Sequence, residues 1–252
     1  MTTKFYDKVA KKFGSYHTKH THTTEYPNQD PEAVFKSKLI EVSGKNKITL
    51  DLGCGDGRFI LSIALHFKKI IGIDLSEGML RAARKLQQEQ GIKNIEFQKQ
   101  DAFHTSFDDE SFDVIYSRRG PTPYTEAFRI LKPEGYYLEI DIGEKDCKEI
   151  KVIFGRGQNF GDWNVPRIKS VKKETRESGF NIIFAKEFFY NEYYPSYQDL
   201  DLFLQGVPIF EDYNSKKDNN SLEDYIHSFK TNKGINLERH RIVLLLRKPF
   251  YH

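Results

Sequence analysis

The chain has 252 residues, of which 39 are Lys or Arg and 36 are Asp or Glu, for a formal net charge of +3. That length fits one α/β domain with additions around a single large core, and a charge so close to balance does not by itself imply a nucleic-acid partner. The aromatic share of 14% excludes a disordered chain, the longest apolar run (242–246) is far too short to span a bilayer, and two cysteines, Cys54 and Cys147, exclude a disulfide scaffold or a four-cysteine zinc site. The first residues show no apolar secretory stretch, so the expectation is a soluble, cytoplasmic protein with no membrane partner.

In chain order, Phe5, Val9 and Phe13 fall on one face of a predicted N-terminal helix. His17, His20 and His22 follow within six residues. No acid or cysteine stands at helical spacing to His17 or His20, so this stretch reads as exposed and polar and no metal site is expected. Asp30 and Pro31 open a second helix, with proline at its first position. A strand at 48–51 runs into a glycine-rich turn, and a helix follows at 58–67. Then come a strand at 70–73 and a helix at 76–90, with Ser76 as N-cap and Gly91 as stop. Strands at 94–98 and 112–116, a helix at 124–131 and a strand at 135–142, entered through a turn at 132–135, complete the alternation. Strands alternating with helices at this spacing predict parallel βαβ units, hence a doubly wound sheet with its ligand site at the carboxyl ends of the strands.

After residue 142 the pattern changes to a helix at 165–178, a strand at 181–190 and a last strand at 239–247. Between those strands lie two amphipathic helices. One is capped by Ser196, carries Tyr197, Leu200, Phe203 and Leu204 on one face, and stops at Gly206. The other starts at Ser221 and places Leu222, Tyr225, Ile226 and Phe229 together, after a solvated loop at 214–221. A structured insertion of this length is a candidate lid. The expected organisation is one domain over 1–252: a helical cap at 1–45, a core at 46–193 and 239–252, and a lid at 194–238.

The chemistry centres on the run Asp-Leu-Gly-Cys-Gly-Asp-Gly at 51–57, between a predicted strand and a predicted helix. Glycines let the backbone turn sharply and approach a ligand, and the following helix N-terminus offers unpaired N–H groups. A dinucleotide fingerprint, G-x-G-x-x-G from Gly53, would need its third glycine at 58, where the chain has Arg58. The spacing here is G-x-G-x-G, and the preceding carboxylate, Asp51, suits a cationic ligand better than a pyrophosphate. Cys54 reads as a small turn residue, with no histidine near it in sequence to make it a nucleophile.

The segment at 50–58 resembles motif I of the class I S-adenosylmethionine (SAM)-dependent methyltransferases. Three further segments match in order: Ile-Gly-Ile-Asp-Leu-Ser-Glu-Gly-Met-Leu at 71–80, Gln-Asp-Ala at 100–102 with the strand at 107–114, and Leu-Lys-Pro-Glu-Gly-Tyr at 131–136. The resemblance covers about 47–142. It implies a Rossmann-like, mostly parallel, seven-stranded α/β sheet with an antiparallel last strand. It also implies SAM as cofactor, held by Asp51, Gly53, Cys54, Gly55, Asp74, Leu75, Met79, Asp101, Ala102 and Ser117. In that family Asp74 would take the ribose hydroxyls and Asp101 the adenine amino group, with the Ala102 N–H on a ring nitrogen. Asp74 alone would also fit NAD; the glycine spacing, Asp51 and Asp101 separate the two, against a nicotinamide dehydrogenase.

The residues after the fourth strand, 117–124, face the reaction centre in such a fold. Arg118 and Arg119 suit a substrate carboxylate or phosphate, or else are a surface cation and a local ion pair. Tyr124 and Tyr16 join them as candidate substrate contacts, and Tyr6, Phe13 or Tyr16 are placed to close a pocket if the N-terminal helix folds over it. The aromatic cluster at 188–197 reads as sheet and lid core before it reads as a pocket wall. Methyl transfer is an in-line displacement with a neutral leaving group, so alignment and exclusion of water do much of the work. His17, His20 and Tyr124 are unranked as bases, and no catalytic residue is assigned. The expected function is methyl transfer from SAM to a small molecule. The alternatives are an RNA base methyltransferase, which would show a continuous basic surface, and a non-catalytic SAM-binding protein.

Overall fold

The computed structural model describes residues 3–14 and 18–250, so Tyr16 and His17 fall outside the described residues. Its elements are α1 (Thr3–Phe13), β1 (Thr23–Glu25), α2 (Pro31–Glu41), β2 (Gly44–Leu52), α3 (Arg58–Ser62), β3 (Phe67–Asp74), α4 (Glu77–Gln90), β4 (Ile95–Lys99), β5 (Phe112–Arg118), α5 (Tyr124–Ile130) and β6 (Leu131–Ile142). They continue with α6 (Lys148–Phe154), α7 (Arg167–Glu177), β7 (Asn181–Tyr194), α8 (Tyr197–Gly206), α9 (Asn219–Phe229), β8 (Lys230–Thr231) and β9 (Gly234–Arg247).

The strands form one sheet in the order β1-β7-β9-β6-β5-β2-β3-β4, with β8 hairpinned onto β9. The five strands from β2 to β6 pair in parallel, whereas β9 runs antiparallel to both β6 and β7. This is the doubly wound, mostly parallel α/β sheet that the alternation predicts. The seven expected strands are joined by two short ones, β1 on the edge of β7 and β8.

Both faces are covered, which is why the central strands are apolar without alternation. On one face Phe35 and Leu39 of α2, Ile60 of α3 and Leu80 of α4 pack on Val114, Leu138 and Val243. On the other, Ala127 and Ile130 of α5 and Val171 of α7 pack on Leu50, Ile115 and Leu244. Ser76 caps α4 through its hydroxyl, which accepts from the Met79 N–H, and Gly91 ends that helix at φ +66°. Asp30 caps α2, accepting from the Glu32 N–H.

Several boundaries differ from the sequence reading. The 58–67 helix is one turn of α3 and a short 3-10 turn at Ala64–His66, because Phe67 is already paired in β3. The turn at 132–135 is a bulge inside β6, where the register slips between Phe112 and Val114 of β5. β7 extends to Tyr194 and β9 begins at Gly234, so the inserted segment is 195–233; the β7–β9 ribbon runs on past the end of β6, and its far end carries β1 on β7 and β8 on β9. Only glycine fits at 234: its φ is +127°, and a Cβ there would stand 2.7 Å from the Tyr194 carbonyl oxygen. α6 has no counterpart in the sequence reading. The inserted helices, with α6, bury their own cluster of Ile150, Leu200, Leu204, Phe210, Leu222 and Tyr225. Among the described residues no helix is long and apolar enough to cross a membrane.

Candidate active site

The carboxyl ends of β2, β3, β4 and β5 converge on the glycine loop. The Gly53 and Cys54 N–H groups both donate to the Ile73 carbonyl, at 2.9 and 3.0 Å, which folds the loop across the end of β3. The glycines do different work. A Cβ on Gly57 would stand 2.9 Å from that of Ala83, and one on Gly53 2.9 Å from Pro121 Cδ, so both are close-packing positions. Gly55, at φ +55°, has open space where its Cβ would be.

Asp74 ends β3. Its Oδ2 accepts from the Gly55 N–H at 3.0 Å and its Oδ1 from the Ser76 N–H at 2.8 Å. One lone pair on each oxygen is left for a further donor. Burial raises its pKa, against those backbone donors. Asp51, at the end of β2, is fully enclosed; burial pushes it up to about 7, with the Arg118 guanidinium pulling the other way. Burial likewise raises Cys54 well above the usual thiol value, so it stays a neutral thiol.

The remaining sequence-derived residues divide. Leu75 is exposed beside Asp74 and Ser117 is buried at the end of β5. Asp101 is exposed on the loop after β4; its Oδ1 accepts from the Phe103 N–H and its Oδ2 lies 3.7 Å from His104 Nδ1. Ala102 beside it packs into the core. Met79 faces the other way, in a small cluster with Phe5 and Val9 of α1. That cluster also gathers Tyr6 and Phe13, so the N-terminal helix lies on α4, and Ser76 donates to Asp7 of α1 at 2.5 Å.

Arg118 and Arg119 meet one acid that the sequence reading missed. Arg118 Nη2 donates to Glu32 Oε2 at 2.7 Å, and Arg119 Nη1 lies 3.2 Å from Glu32 Oε1. Burial would raise the Glu32 pKa, but Arg119 and Arg118 outweigh it and hold it at about 2. The Arg118 guanidinium also stacks on Phe59, 4.0 Å from the ring centre. Neither arginine is a solitary surface cation. Arg119 holds a left-handed φ of +55° in the loop that presents the pair.

Tyr124 is buried, and its hydroxyl donates to Glu139 Oε1 at 2.6 Å. Glu139, enclosed on β6, is pushed up to about 8 by burial, with Asp141 adding to the rise. Tyr124, Phe103, Pro123 and Glu126 line a cavity of about 460 Å³. Two acids, Glu139 and Asp141, inside the otherwise apolar 136–142 strand were the available signal for Glu139; none in the sequence pointed to Glu32. His20 and His22 stack on one another and against Tyr194, so they are part of an aromatic contact and not a free polar arm.

Known proteins resemble part of this chain. The uncharacterized methyltransferase YcgJ of Bacillus subtilis is 31% identical over 111 residues, covering 41% of this chain and 44% of that one. Demethylmenaquinone methyltransferase of Lactococcus lactis is 38% identical over 125 residues, covering 46% and 50%. The chain thus spans about half the length of the curated relatives it matches. Among solved structures, YcgJ superposes with a TM-score of 0.61 at 16% identity, over 87% of this chain and all of that one. The [4+2]-cyclase SpnF superposes with a TM-score of 0.59 at 19% identity, over 99% and 93%. At such identities the superpositions speak for the fold alone. The family described as "Methyltransferase domain" matches residues 43–176, the stretch that holds the glycine loop, Asp74, Asp101 and the arginine pair. This chain belongs to the methyltransferase-domain family.

Proposed function

We propose that the chain transfers a methyl group from SAM to a small-molecule acceptor by in-line displacement. The observation that carries this reading is the pair of acids at the ends of adjacent strands, the buried Asp51 and the part-buried Asp74, on either side of a loop whose open glycine is Gly55. When bound, SAM supplies an electrophilic methyl on a sulfonium and leaves as a neutral thioether. The free lone pairs of Asp74 match the two hydroxyls of a ribose, and Asp51 matches the ammonium of the methionine part. The exposed Asp101 and the backbone at Ala102 are the proposed contacts of the adenine. Gly55 leaves room for the methionine backbone.

The protein's own contribution is alignment and exclusion of water. The loop at 119–123 packs directly on the glycine loop through Gly53 and Pro121, so acceptor-side and cofactor-side residues are held in one frame. Leu75, Cys54 and Ser117 complete the proposed cofactor wall; Met79 acts through its packing under α1. Arg118, Arg119 and Tyr124 are the proposed acceptor-side residues, and the 195–233 insertion the proposed lid over a single domain.

Calorimetric titration with SAM, S-adenosylhomocysteine and NAD tests the cofactor. The expected result is micromolar binding of the first two, none of NAD, and loss of binding in Asp74→Ala. A folded, ligand-free sample that binds neither SAM nor its product overturns the reading. Because the same fold occurs in a [4+2]-cyclase, methyl transfer to a panel of small acceptors is measured alongside. SAM binding without turnover on any of them returns the non-catalytic alternative.

A further inference from the structure

Outside the proposed cofactor site, at the exit of β6, two carboxylates converge on one imidazole. His240 of β9 is fully buried. Its Nδ1 lies 3.6 Å from Glu144 Oε2 and its Nε2 lies 3.3 Å from Glu187 Oε1 of β7. One ligand atom from each of the three residues falls within 4.8 Å of the others. Despite that proximity, His240 Nε2 makes no hydrogen bond of acceptable geometry, so a buried polar atom is aimed at the carboxylate without being satisfied by it.

The surroundings hold this arrangement firmly. Phe189 stacks on the imidazole, with ring centres 4.1 Å apart. The chain turns around the ring at Gly143, where a Cβ would lie 2.1 Å from Nδ1, and the Lys145 N–H approaches Nδ1 at 3.3 Å. Glu144 Oε2 accepts from the Arg167 backbone N–H at 3.1 Å. The nearby guanidiniums are committed elsewhere: Arg167 to Asp141 and Glu174, and Arg239 and Arg241 to Asp146. No lysine or arginine ion pair to Glu144 or Glu187 occurs among the described residues. Two carboxylates beside a neutral imidazole are an excess of negative charge in a mostly enclosed place, which calls for a cation.

We infer that Glu144, Glu187 and His240 form a binding site for one divalent first-row transition-metal ion such as Zn²⁺. One imidazole nitrogen and two carboxylate oxygens are the donors that such ions accept, and three protein ligands leave a position for water or a ligand oxygen. Metal–ligand bonds of about 2.0–2.2 Å need donors about 3–3.5 Å apart; His240 Nε2 and Glu187 Oε1 already stand 3.3 Å apart, and Glu144, which approaches from the Nδ1 side, closes in from within 4.8 Å. Glu187 is one-third exposed and provides the way in. The ion would fasten the end of β6 to β7 and β9. The sequence reading looked for a metal only among the N-terminal histidines, and the three residues here are too far apart in the chain to stand out.

The test uses the full chain, stripped with a chelator and kept free of SAM, so its outcome is independent of the proposed activity. Co²⁺ is titrated in while its visible ligand-field bands are recorded, and Zn²⁺ is then added. The expected result is one Co²⁺ per chain with micromolar or tighter affinity, displaced by Zn²⁺. Glu187→Gln, at the exposed edge and safe for folding, is expected to weaken binding at least tenfold. His22→Ala is expected to leave it unchanged. His240→Gln should abolish binding if that variant folds. No saturable Co²⁺ or Zn²⁺ binding overturns the proposal, as does binding that survives Glu187→Gln but is lost in His22→Ala.

Discussion

At the scale of single residues, Asp51 links ionisation to both folding and binding. Its pKa is raised from the ordinary value of 3.8 to about 7 in the folded chain. The folded state therefore holds this proton over a pH range where the unfolded chain has lost it. The stability it contributes is full below the unfolded pKa and is lost as pH rises from about 4 through about 7. Asp51→Asn is expected to remove that slope, so its stability relative to the parent improves by an amount of order a few kcal/mol between about pH 4 and about pH 8, at about 1.4 kcal/mol per pKa unit. Denaturant titrations of both proteins at the two pH values check this; parallel pH profiles would refute it. SAM affinity of the parent should rise through the same pH range and that of Asp51→Asn should not, since an ammonium favours the ionised acid. The glycines give a second contrast. Gly57→Ala combines a left-handed backbone with a clash against Ala83 and is expected to cost about 2–4 kcal/mol of stability. Gly55→Ala carries only the backbone cost, about 1–2 kcal/mol, yet its methyl enters the open space, so it should lose at least tenfold in SAM affinity. Thermal melts and calorimetry separate the two. These glycines and Asp74 were legible because their roles are local: a strand, a turn and a helix within one βα unit. Glu32 was not, because its partner Arg118 lies 86 residues away and they meet only when α2 packs beside β6 and β9.

Among the elements, α1 shows how little holds a helix that borders the site. It buries Phe5 and Val9 on Met79 of α4 and adds the Ser76–Asp7 hydrogen bond. Ser76 also caps α4 and donates its N–H to Asp74, so the N-terminal helix is tied within two residues of the proposed ribose contact. Two buried side chains contribute only a few kcal/mol, against the ordering of eleven helical residues. Val9→Ala is expected to undock α1 without unfolding the sheet. Hydrogen exchange over 3–13 should accelerate at least tenfold while the main thermal transition moves by no more than a few degrees. SAM affinity should fall as α1 leaves. A uniform drop in stability with unchanged local exchange would make α1 an integral layer of the core. The amphipathic spacing of Phe5, Val9 and Phe13 announced this helix, as Ser196 did α8. The extra length of β7 and β9 was legible only in part: Ile235 and Leu237 alternate with polar residues as a strand would, but Asn191 and Glu192 interrupt the apolar run of β7, and the pairing that carries both strands on comes from the opposite strand.

For the whole molecule, the question is whether the insertion is a lid on a completed domain or part of that domain's core. Leu200, Leu204, Leu222 and Tyr225 bury against α6 and the far ends of β7 and β9, in a cluster separate from the two that sandwich the sheet. Among the described residues, the strands that carry the glycine loop, Asp51 and Asp74 belong to those two clusters, and the insertion's apolar residues belong to the third. Energy lost in the third cluster should therefore stay there. Leu204→Ala, which opens a cavity at a fully buried position, is expected to cost about 2–5 kcal/mol locally. If the insertion is a lid, the variant keeps SAM affinity within about twofold while its methyl-transfer kcat falls at least tenfold, because water enters the reaction centre. Its amides at 195–233 exchange faster, and those of β2 and β3 do not. If SAM affinity falls with the same energy as stability, the three clusters are one cooperative core. Calorimetry and hydrogen exchange on that single variant decide between a closing element and a structural one. The physical ground for expecting the first is that the insertion's apolar residues form a third cluster of their own, joined to the rest through the β7–β9 ribbon, α6 and the N-terminal segment, where Asp199 accepts from the Thr21 N–H and hydroxyl.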